Sequence, residues 1–248
     1  MIEIRALHNH DEFVEAVRLQ QLIWGFEEVE LLPVRLFVTA TKVGGQAFGA
    51  FDGGNMVGFC LAIPGIKAKD KPYLHSHMLG VLKDYRDAGV GRMLKLEQRR
   101  EALSRGIELM EWTFDPLEIK NAYFNMERLG AIVRRFVLNQ YGTTSSKLHA
   151  GLPTDRCIAE WWLASPRVKS ILAGEKLPQS EIVARISVPS DIYTIKETDP
   201  TRAREIQKRV SDQFLQHFSK GLAVTGFERT QESGTYLFTH WSNPWDSK

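Results

Sequence analysis

The sequence predicts a mixed α/β (α+β) fold, because apolar stretches typical of strands alternate with amphipathic helical stretches along the chain. A helix from Gly89 to about Arg105 lies between two predicted strands, 72–82 and 107–114, and a helical crossover of this kind makes the strands that it joins parallel. The segment Asp52-Gly53-Gly54-Asn55 lies between two apolar stretches and is typical of a hairpin, which joins antiparallel strands. We therefore expect a sheet that contains both kinds of pair.

The remaining elements follow from apolar periodicity and from the residues that begin and end helices. The other predicted strands are 2–7, 46–51, 56–63 and 132–137, and the other predicted helices are 11–24, one from Pro33 to Gly44, and 117–129. Beyond residue 163 the pattern predicts a helix at 166–173, a strand at 181–188, a helix from Asp199-Pro200 to Gly221, and a hairpin of 224–228 with 235–239. The chain therefore continues past its first sheet into a C-terminal α/β extension.

The composition excludes several classes of protein. The 248 residues include 32 basic and 30 acidic residues, so the overall charge does not favour nucleic acid or an anionic membrane as a partner. No apolar run is long enough to cross a bilayer, and the polar start of the chain is not a signal peptide. Cys60 and Cys157 lack the spacing of metal ligands and are expected to be buried thiols. We therefore expect a cytoplasmic protein without a metal.

The most informative segment is the charged turn that precedes the helix from Gly89. Gly89 and Gly91 open that helix, whose first backbone N–H groups have no partner within the helix and lie at the positive end of its dipole. A helix start of this kind binds phosphate groups. Gly89 removes a side chain where a ligand approaches the backbone, and Gly91 lets the first turn lie close to the sheet. Two glycines before a helix also occur for steric reasons alone. The spacing excludes a Walker-type nucleotide loop. It also excludes a dinucleotide-binding fingerprint, because that pattern needs a third glycine three residues after Gly91, where this chain has Leu94.

The segment 86–91 fits the pattern Arg/Gln-x-x-Gly-x-Gly/Ala and, with Val81 and Tyr85 ahead of it, resembles the acyl-CoA pyrophosphate loop of the GNAT (Gcn5-related) N-acyltransferases. The order of elements resembles the core of that family over roughly residues 1–163. The resemblance implies a mostly antiparallel sheet whose parallel fourth and fifth strands splay apart to admit the pantetheine arm. It implies a catalytic core at 1–163 and an extension at 164–248 packed on that core. The residues expected to bind acyl-CoA in this part of the chain are Leu79, Val81, Arg86, Asp87, Ala88, Gly89, Val90, Gly91 and Arg92.

Two histidines are the candidate catalytic residues. In a regular strand over 72–82, His75, His77, Leu79 and Val81 share one face. The His-x-His pair resembles the arylalkylamine branch of the GNATs, where a pair on the corresponding strand relays the proton of the amine through water. Imidazole suits this task because its pKa lies near neutrality. The alternative is that both histidines pack or form hydrogen bonds inside the sheet.

The predicted helix at 117–129 departs from the family pattern. GNAT sequences commonly carry a tyrosine that protonates the leaving thiolate, and Met126 stands at that position, where a thioether cannot donate a proton. Asn121 and Asn125 are one helical turn apart, and on a shared face they can bind the pantetheine or the thioester. The alternative is that both are ordinary polar residues of a helix.

The Asp155–Arg156 pair is a candidate for binding a carboxylate or amino group of the acceptor. Its alternative is a turn whose charges cap the neighbouring backbone. Residues 164–248 are expected to complete the acceptor pocket or a dimer surface, so a homodimer is one expected assembly.

Together the residues and the resemblance imply a CoA-dependent N-acyltransferase. Acetyl-CoA is the expected cosubstrate, with succinyl as an alternative acyl group, and the expected acceptor is the amine of a small molecule or amino acid. Two alternatives stay open: a non-catalytic module that binds acyl-CoA, for which the missing tyrosine is the reason, and a protein N-acetyltransferase.

Overall fold

The computed structural model of the chain describes residues 1–142, 151–178 and 180–242. Its contacts form two compact units, one containing the described residues Met1–Trp112 and the other the described residues from Thr113 onward. Each unit is described in turn. The predicted end of the catalytic core at residue 163 stays a prediction, and it does not coincide with this division by contacts.

The first unit is a sheet of five strands with three helices. Its elements are β1 (Glu3–Ala6), α1 (His10–Trp24), α2 (Val34–Lys42), β2 (Gln46–Asp52), β3 (Asn55–Ile66), β4 (Pro72–Val81), α3 (Val90–Ser104) and β5 (Leu109–Phe114). The last two residues of β5 belong to the second unit. The strands lie in the order β1-β2-β3-β4-β5, and every neighbouring pair is antiparallel except β4 with β5, which is parallel. The predicted mixed sheet and its parallel fourth and fifth strands are confirmed.

The helices of this unit begin and end where side chains and glycines satisfy the backbone. Asn9 and Glu12 form a capping box at the start of α1, in which the Asn9 side chain accepts from the Glu12 N–H at 2.9 Å. Gly25 ends α1 in the left-handed conformation. Apolar side chains then cover both faces of the sheet: α1 and α2 pack on one face around Phe37 and Phe59, and α3 packs on the other.

A β-bulge interrupts β4 at His77. In the antiparallel register with β3, Ser76 lies opposite Ala62 and Met78 lies opposite Leu61, so His77 is an extra residue without a direct partner. The bulge changes which residues share a face, and the expectation that His75, His77, Leu79 and Val81 share one is wrong. Leu79 and Val81 pack in the cluster of α3, whereas Ile63, the register partner of His75, packs in the cluster of α1 and α2.

The second unit is a sheet of five strands, in which every neighbouring pair is antiparallel, together with the helices of the C-terminal extension. Its elements are α4 (Ile119–Tyr123), a π-helical turn (Phe124–Arg128), β6 (Ile132–Val137), β7 (Arg156–Trp162), α5 (Pro166–Ala173), β8 (Ala184–Pro189), α6 (Ile192–Thr198), α7 (Pro200–Ser219), β9 (Leu222–Arg229) and β10 (Ser233–His240). The strands lie in the order β7-β6-β9-β10-β8. The predicted helix at 166–173 and the C-terminal hairpin are confirmed, and α6 is a helix that the sequence pattern did not predict.

The core of the second unit is aromatic. α7 buries a stripe of apolar residues at helical spacing, Ala203, Ile206, Val210 and Phe214, and the Phe214 ring stacks on that of Phe136 with centroids 5.1 Å apart. In the described part of the chain, no helix is both long and apolar enough to cross a membrane.

Candidate functional site

The loop between β4 and α3 has the backbone of an anion-binding turn. Gly89 is the N-cap of α3 with φ +81°, and within the described residues no side chain caps this helix end. A Cβ added at Gly89 would meet no atom within 4 Å, so the left-handed backbone, and not crowding by the protein, requires glycine here. Asp87 is also left-handed, with φ +63°. The loop residues 86–89 are exposed, and they precede the positive end of a helix of 15 residues whose first backbone N–H groups have no side-chain cap among the described residues.

Side-chain contacts fix the shape of this loop. Arg86 Nε donates to the Val81 carbonyl oxygen at 3.1 Å, and Tyr85 Oη donates to Asp52 Oδ2 at 3.1 Å. The first turn of α3 contains no acidic residue and includes Arg92. The first turn itself is therefore suited to an anion, although Asp84 and Asp87 in the preceding loop carry negative charge.

Gly91 brings the first turn of α3 against β4. A Cβ added there would lie 3.5 Å from Leu79 Cδ2 and 3.9 Å from Val81 Cγ2, which are ordinary contact distances. The expected close approach of helix and sheet is present, although an alanine would also fit.

The parallel ladder between β4 and β5 is short. Only Leu74 with Met110 and His75 with Glu111 are paired in the described strands, while β4 continues as a partner of β3 as far as Val81. The backbone of β4 from Ser76 to Val81 is thus paired on its β3 side, next to the loop that precedes α3. This is the part of the strand that includes both Leu79 and Val81, the two β4 positions predicted to bind the cofactor.

His75 and His77 lie close together on β4, and both are half-buried. Their ring centroids are 6.0 Å apart, and within the described residues no hydrogen bond joins them. Burial, followed by the nearby groups His77, Lys95 and Lys67, lowers the pKa of His75 to about 4. Burial also lowers the pKa of His77. Both rings are therefore neutral at pH 7 and can accept a proton.

The face of the sheet that carries His75 also carries the end of α1. A Cβ at Gly80 of β4 would lie 2.6 Å from Trp24 Cη2 and 2.8 Å from Ile23 Cδ1, so Gly80 allows α1 to approach. The Trp24 ring stacks on Phe26 at 5.7 Å and meets Phe59 edge-on at 6.0 Å. This contact of Trp24 with β4 is not predicted by the sequence pattern.

Lys95 is a buried residue of this region whose contacts the sequence did not predict. It lies on α3, and its Nζ donates to Ser76 Oγ at 2.7 Å and lies 3.8 Å from the centre of the Trp112 ring. Burial lowers the pKa of Lys95 to about 7. Lys95 follows the phosphate loop closely in sequence, but its side chain extends to β4.

The two predicted asparagines differ in burial in the second unit. Asn121 on α4 is exposed, whereas Asn125 in the π-helical turn is buried, as is Met126. The wide turn is closed by the Leu129 N–H, which donates to the Phe124 carbonyl oxygen five residues back. The expectation that the asparagines share a helix face assumed a regular α-helix, and it stays a prediction. Their predicted contact with the cofactor stays a prediction.

Asp155 and Arg156 are both buried in the second unit. The Asp155 carboxylate accepts from the Asn139 N–H at 2.9 Å and from Ser211 Oγ at 2.6 Å. Arg156 donates to the Asp155 carbonyl oxygen, and its guanidinium carbon lies 5.4 Å from the centre of the Tyr141 ring. These contacts agree with the structural alternative for Asp155, and a role of the pair in acceptor binding stays a prediction.

Comparisons with known proteins agree with this architecture. Residues 13–130 match the model of the acetyltransferase (GNAT) family. No curated protein sequence matches the chain.

Solved structures provide a second comparison. The ribosomal-protein-S18-alanine N-acetyltransferase from Escherichia coli is similar at 19% identity, covering 66% of this chain and 96% of that chain with a TM-score of 0.52. Aminoglycoside 6′-acetyltransferase type Ii is similar at 21% identity, covering 66% and 98% with a TM-score of 0.52. Arabidopsis thaliana NAA60, solved with a bisubstrate analogue, is similar at 13% identity, covering 65% and 98% with a TM-score of 0.54. These likenesses establish the fold and span about two thirds of the chain.

Proposed function

Because residues 13–130 form a GNAT acetyltransferase domain, we propose that this protein transfers an acyl group from acyl-CoA to the amine of a small molecule or amino acid. The observation that supports this most is the loop at 86–92, where a left-handed glycine opens a helix that no described side chain caps. The pyrophosphate of CoA is the anion for which this loop is suited. Acetyl is the proposed acyl group and succinyl the alternative.

The proposed reaction is direct attack by a neutral amine on the thioester. The Leu79–Val81 segment of β4 lies beside the loop, and a backbone N–H there is proposed to polarise the thioester carbonyl. Attack forms the new C–N bond, the C–S bond then breaks, and CoA leaves as a thiolate. The amine loses one proton, for which the enzyme needs an acceptor.

We assign that acceptor to the histidine pair, with His77 as the base and His75 as its support. Burial lowers the pKa of both, but His75, at about 4, is the weaker base of the two. His77 is also the bulged residue, so its position differs from that of a residue in a regular strand.

The proposed cofactor site is tested by CoA binding. Gly89→Val should abolish CoA binding, because a β-branched side chain is strained at φ +81° and obstructs the approach to the backbone. Gly106→Val is the matched control, since Gly106 follows the other end of α3 with φ +73° and its Cβ would also meet no atom within 4 Å. Calorimetric titration should show CoA binding in the control alone. A folded Gly89→Val protein with wild-type affinity would overturn the proposal.

The proposed chemistry is tested by release of CoA thiol from a panel of acyl-CoAs in the presence of pooled amines and D- and L-amino acids. With an active pair in hand, His77→Gln should lower turnover by about 10²–10⁴-fold and leave CoA affinity nearly unchanged. The acidic limb of the wild-type rate profile should lie below the ordinary histidine value of 6.5, because the pKa of His77 is lowered. The exposed His10 provides the control variant His10→Gln.

Two results would contradict this assignment. Wild-type turnover in both His77→Gln and His75→Gln would make the histidines structural. Absence of thiol release with every amine, together with normal CoA binding, would favour the non-catalytic module, and release with a peptide N-terminus alone would favour a protein N-acetyltransferase.

A further inference from the structure

Lys95 lies under the histidine strand in surroundings that are unusual for a lysine. Its side chain is buried, and in the described part of the chain no carboxylate lies within ion-pair distance of Nζ. Its Nζ contacts the Ser76 hydroxyl and the Trp112 ring, and the Cys60 thiol is also close enough to act on the pKa of Lys95. Burying an ammonium group without a counter-charge costs free energy, and an apolar residue would fill the same space without that cost. A purely structural role therefore explains this residue poorly.

A chain of hydrogen bonds connects Lys95 to the backbone on which both histidines lie. Lys95 Nζ donates to Ser76 Oγ at 2.7 Å, and Ser76 Oγ donates to Gln98 Oε1 at 3.1 Å. The main-chain carbonyl oxygen of Gln98 accepts a further hydrogen bond, from Gln46 Nε2 of β2 at 2.9 Å. Lys95 and Gln98 are one turn apart on α3, so the helix holds Ser76 through two side chains.

Ser76 is the residue between the two histidines and directly precedes the bulge. Its side chain is on the α3 face of β4, opposite to the face of His75. Ser76 and Met78 flank the bulged residue His77. A shift of Ser76 would therefore change the geometry of the bulge and with it the direction of the His75 and His77 side chains.

Other charged groups also face His75. His77 lies on the same strand, and Glu111 is the register partner of His75 on β5. Lys67, after β3, donates to Glu111 Oε2 at 2.7 Å. Glu111 thus offsets the charge of Lys67, whereas no carboxylate in the described residues offsets that of Lys95 in the same way.

We propose that Lys95 is a positioning residue for the histidine pair: through Ser76 it fixes the bulge, and when it is charged, its ammonium group on the opposite face of β4 disfavours a second positive charge at His75. The catalytic value of this arrangement rests on the proposed function, but the arrangement itself is measurable without a substrate. Burial is the largest cause of the lowered pKa of His75, followed by His77, and the Lys95 charge acts in the same direction.

The test is the titration of the histidine ring protons by NMR in the full-length protein without ligand. Lys95→Met should raise the pKa of His75 more than that of His77, since Lys95 acts on His75. Lys95→Gln removes the charge but can still donate to Ser76, and it should give the same rise. Arg100→Met is the control, because it removes an exposed positive charge from the same helix and should leave both values unchanged.

Ser76→Ala separates positioning from charge. It breaks the hydrogen bonds of Ser76 and keeps the ammonium group, so the pKa of His75 should change little, while turnover should fall by about ten- to a hundredfold. If the pKa of His75 is the same in wild type, Lys95→Met and Lys95→Gln, the proposal is wrong. If that pKa rises as expected but His75→Gln and His77→Gln retain wild-type turnover, the arrangement stands and the proposed catalytic role of the histidines fails.

Discussion

The two units each contain a buried lysine, and the two lysines have opposite surroundings. Lys95 in the first unit is 3% exposed and contacts a hydroxyl and an indole ring. Lys196 on α6 is 4% exposed, and its Nζ lies 3.2 Å from Asp115 Oδ2 and 3.2 Å from Glu118 Oε1. Burial acts on the pKa of both in the same direction, and the partners decide the outcome. The pKa of Lys95 is lowered to about 7, whereas the two carboxylates outweigh burial and raise the pKa of Lys196.

The difference shows that burial alone does not decide the protonation of a lysine. A buried lysine with carboxylate partners keeps its proton, whereas one without them loses its proton at a lower pH. Lys196 connects α6 to the segment that begins α4, and Tyr193 of the same helix also donates to Glu118, at 2.9 Å. This group is satisfied and therefore structural. Lys95 lacks such satisfaction, and its proton is easily lost near neutral pH.

The largest expected effect is on the structural lysine. Lys196→Met should lower the free energy of unfolding by about 3–5 kcal/mol at pH 7, because it removes the buried cation that contacts both Asp115, which is buried, and Glu118, which is partly buried. Urea denaturation measures this loss. The control is Lys208→Met, since Lys208 pairs with Asp212 on the exposed face of α7 and such a pair contributes about 0–1 kcal/mol.

The pH dependence sharpens the same test. The pKa of Lys196 is raised above its unfolded value of about 10.5, so its contribution is fully present below that pH and is lost as the pH rises through the folded value. An equally small loss in the two variants, Lys196→Met and Lys208→Met, would mean that the ion group does not stabilise the second unit.

A smaller effect of opposite sign is expected at Lys95. Lys95→Met should raise the free energy of unfolding by about 1–2 kcal/mol at pH 6, because the cost of burying the charge exceeds one lost hydrogen bond. The folded pKa is about 7 and the unfolded value about 10.5, so the unfolded chain binds the extra proton between these values. Wild-type stability should therefore rise with pH across this window, and the advantage of the variant should shrink. Equal pH dependence in wild type and variant would contradict the comparison.

The sequence predicted the parts of the site that depend on local chemistry. Gly89 and Gly91 indicated a helix start with free backbone N–H groups, and the order of strands around a crossover predicted the parallel pair. Both inferences needed only neighbouring residues.

The parts that failed depend on partners distant in sequence. The bulge at His77 follows from the register of β4 with β3, which alternation along one strand cannot reveal. The contact of Lys95 with Ser76 depends on where α3 crosses β4. α6 was missed because it is only seven residues long, and Lys196 offers no local sign of its two carboxylate partners.

The π-helical turn at Phe124–Arg128 has a consequence for how this protein is aligned with others. The turn contains one residue more than an α-helical turn, so every residue after it is rotated by about 100° relative to a continuous α-helix. Counting along the sequence therefore keeps the position of Met126 in an alignment but not the direction in which its side chain extends. Loss of a single residue here would restore a regular helix and would turn α4, with Asn121, to a new direction without changing any other residue.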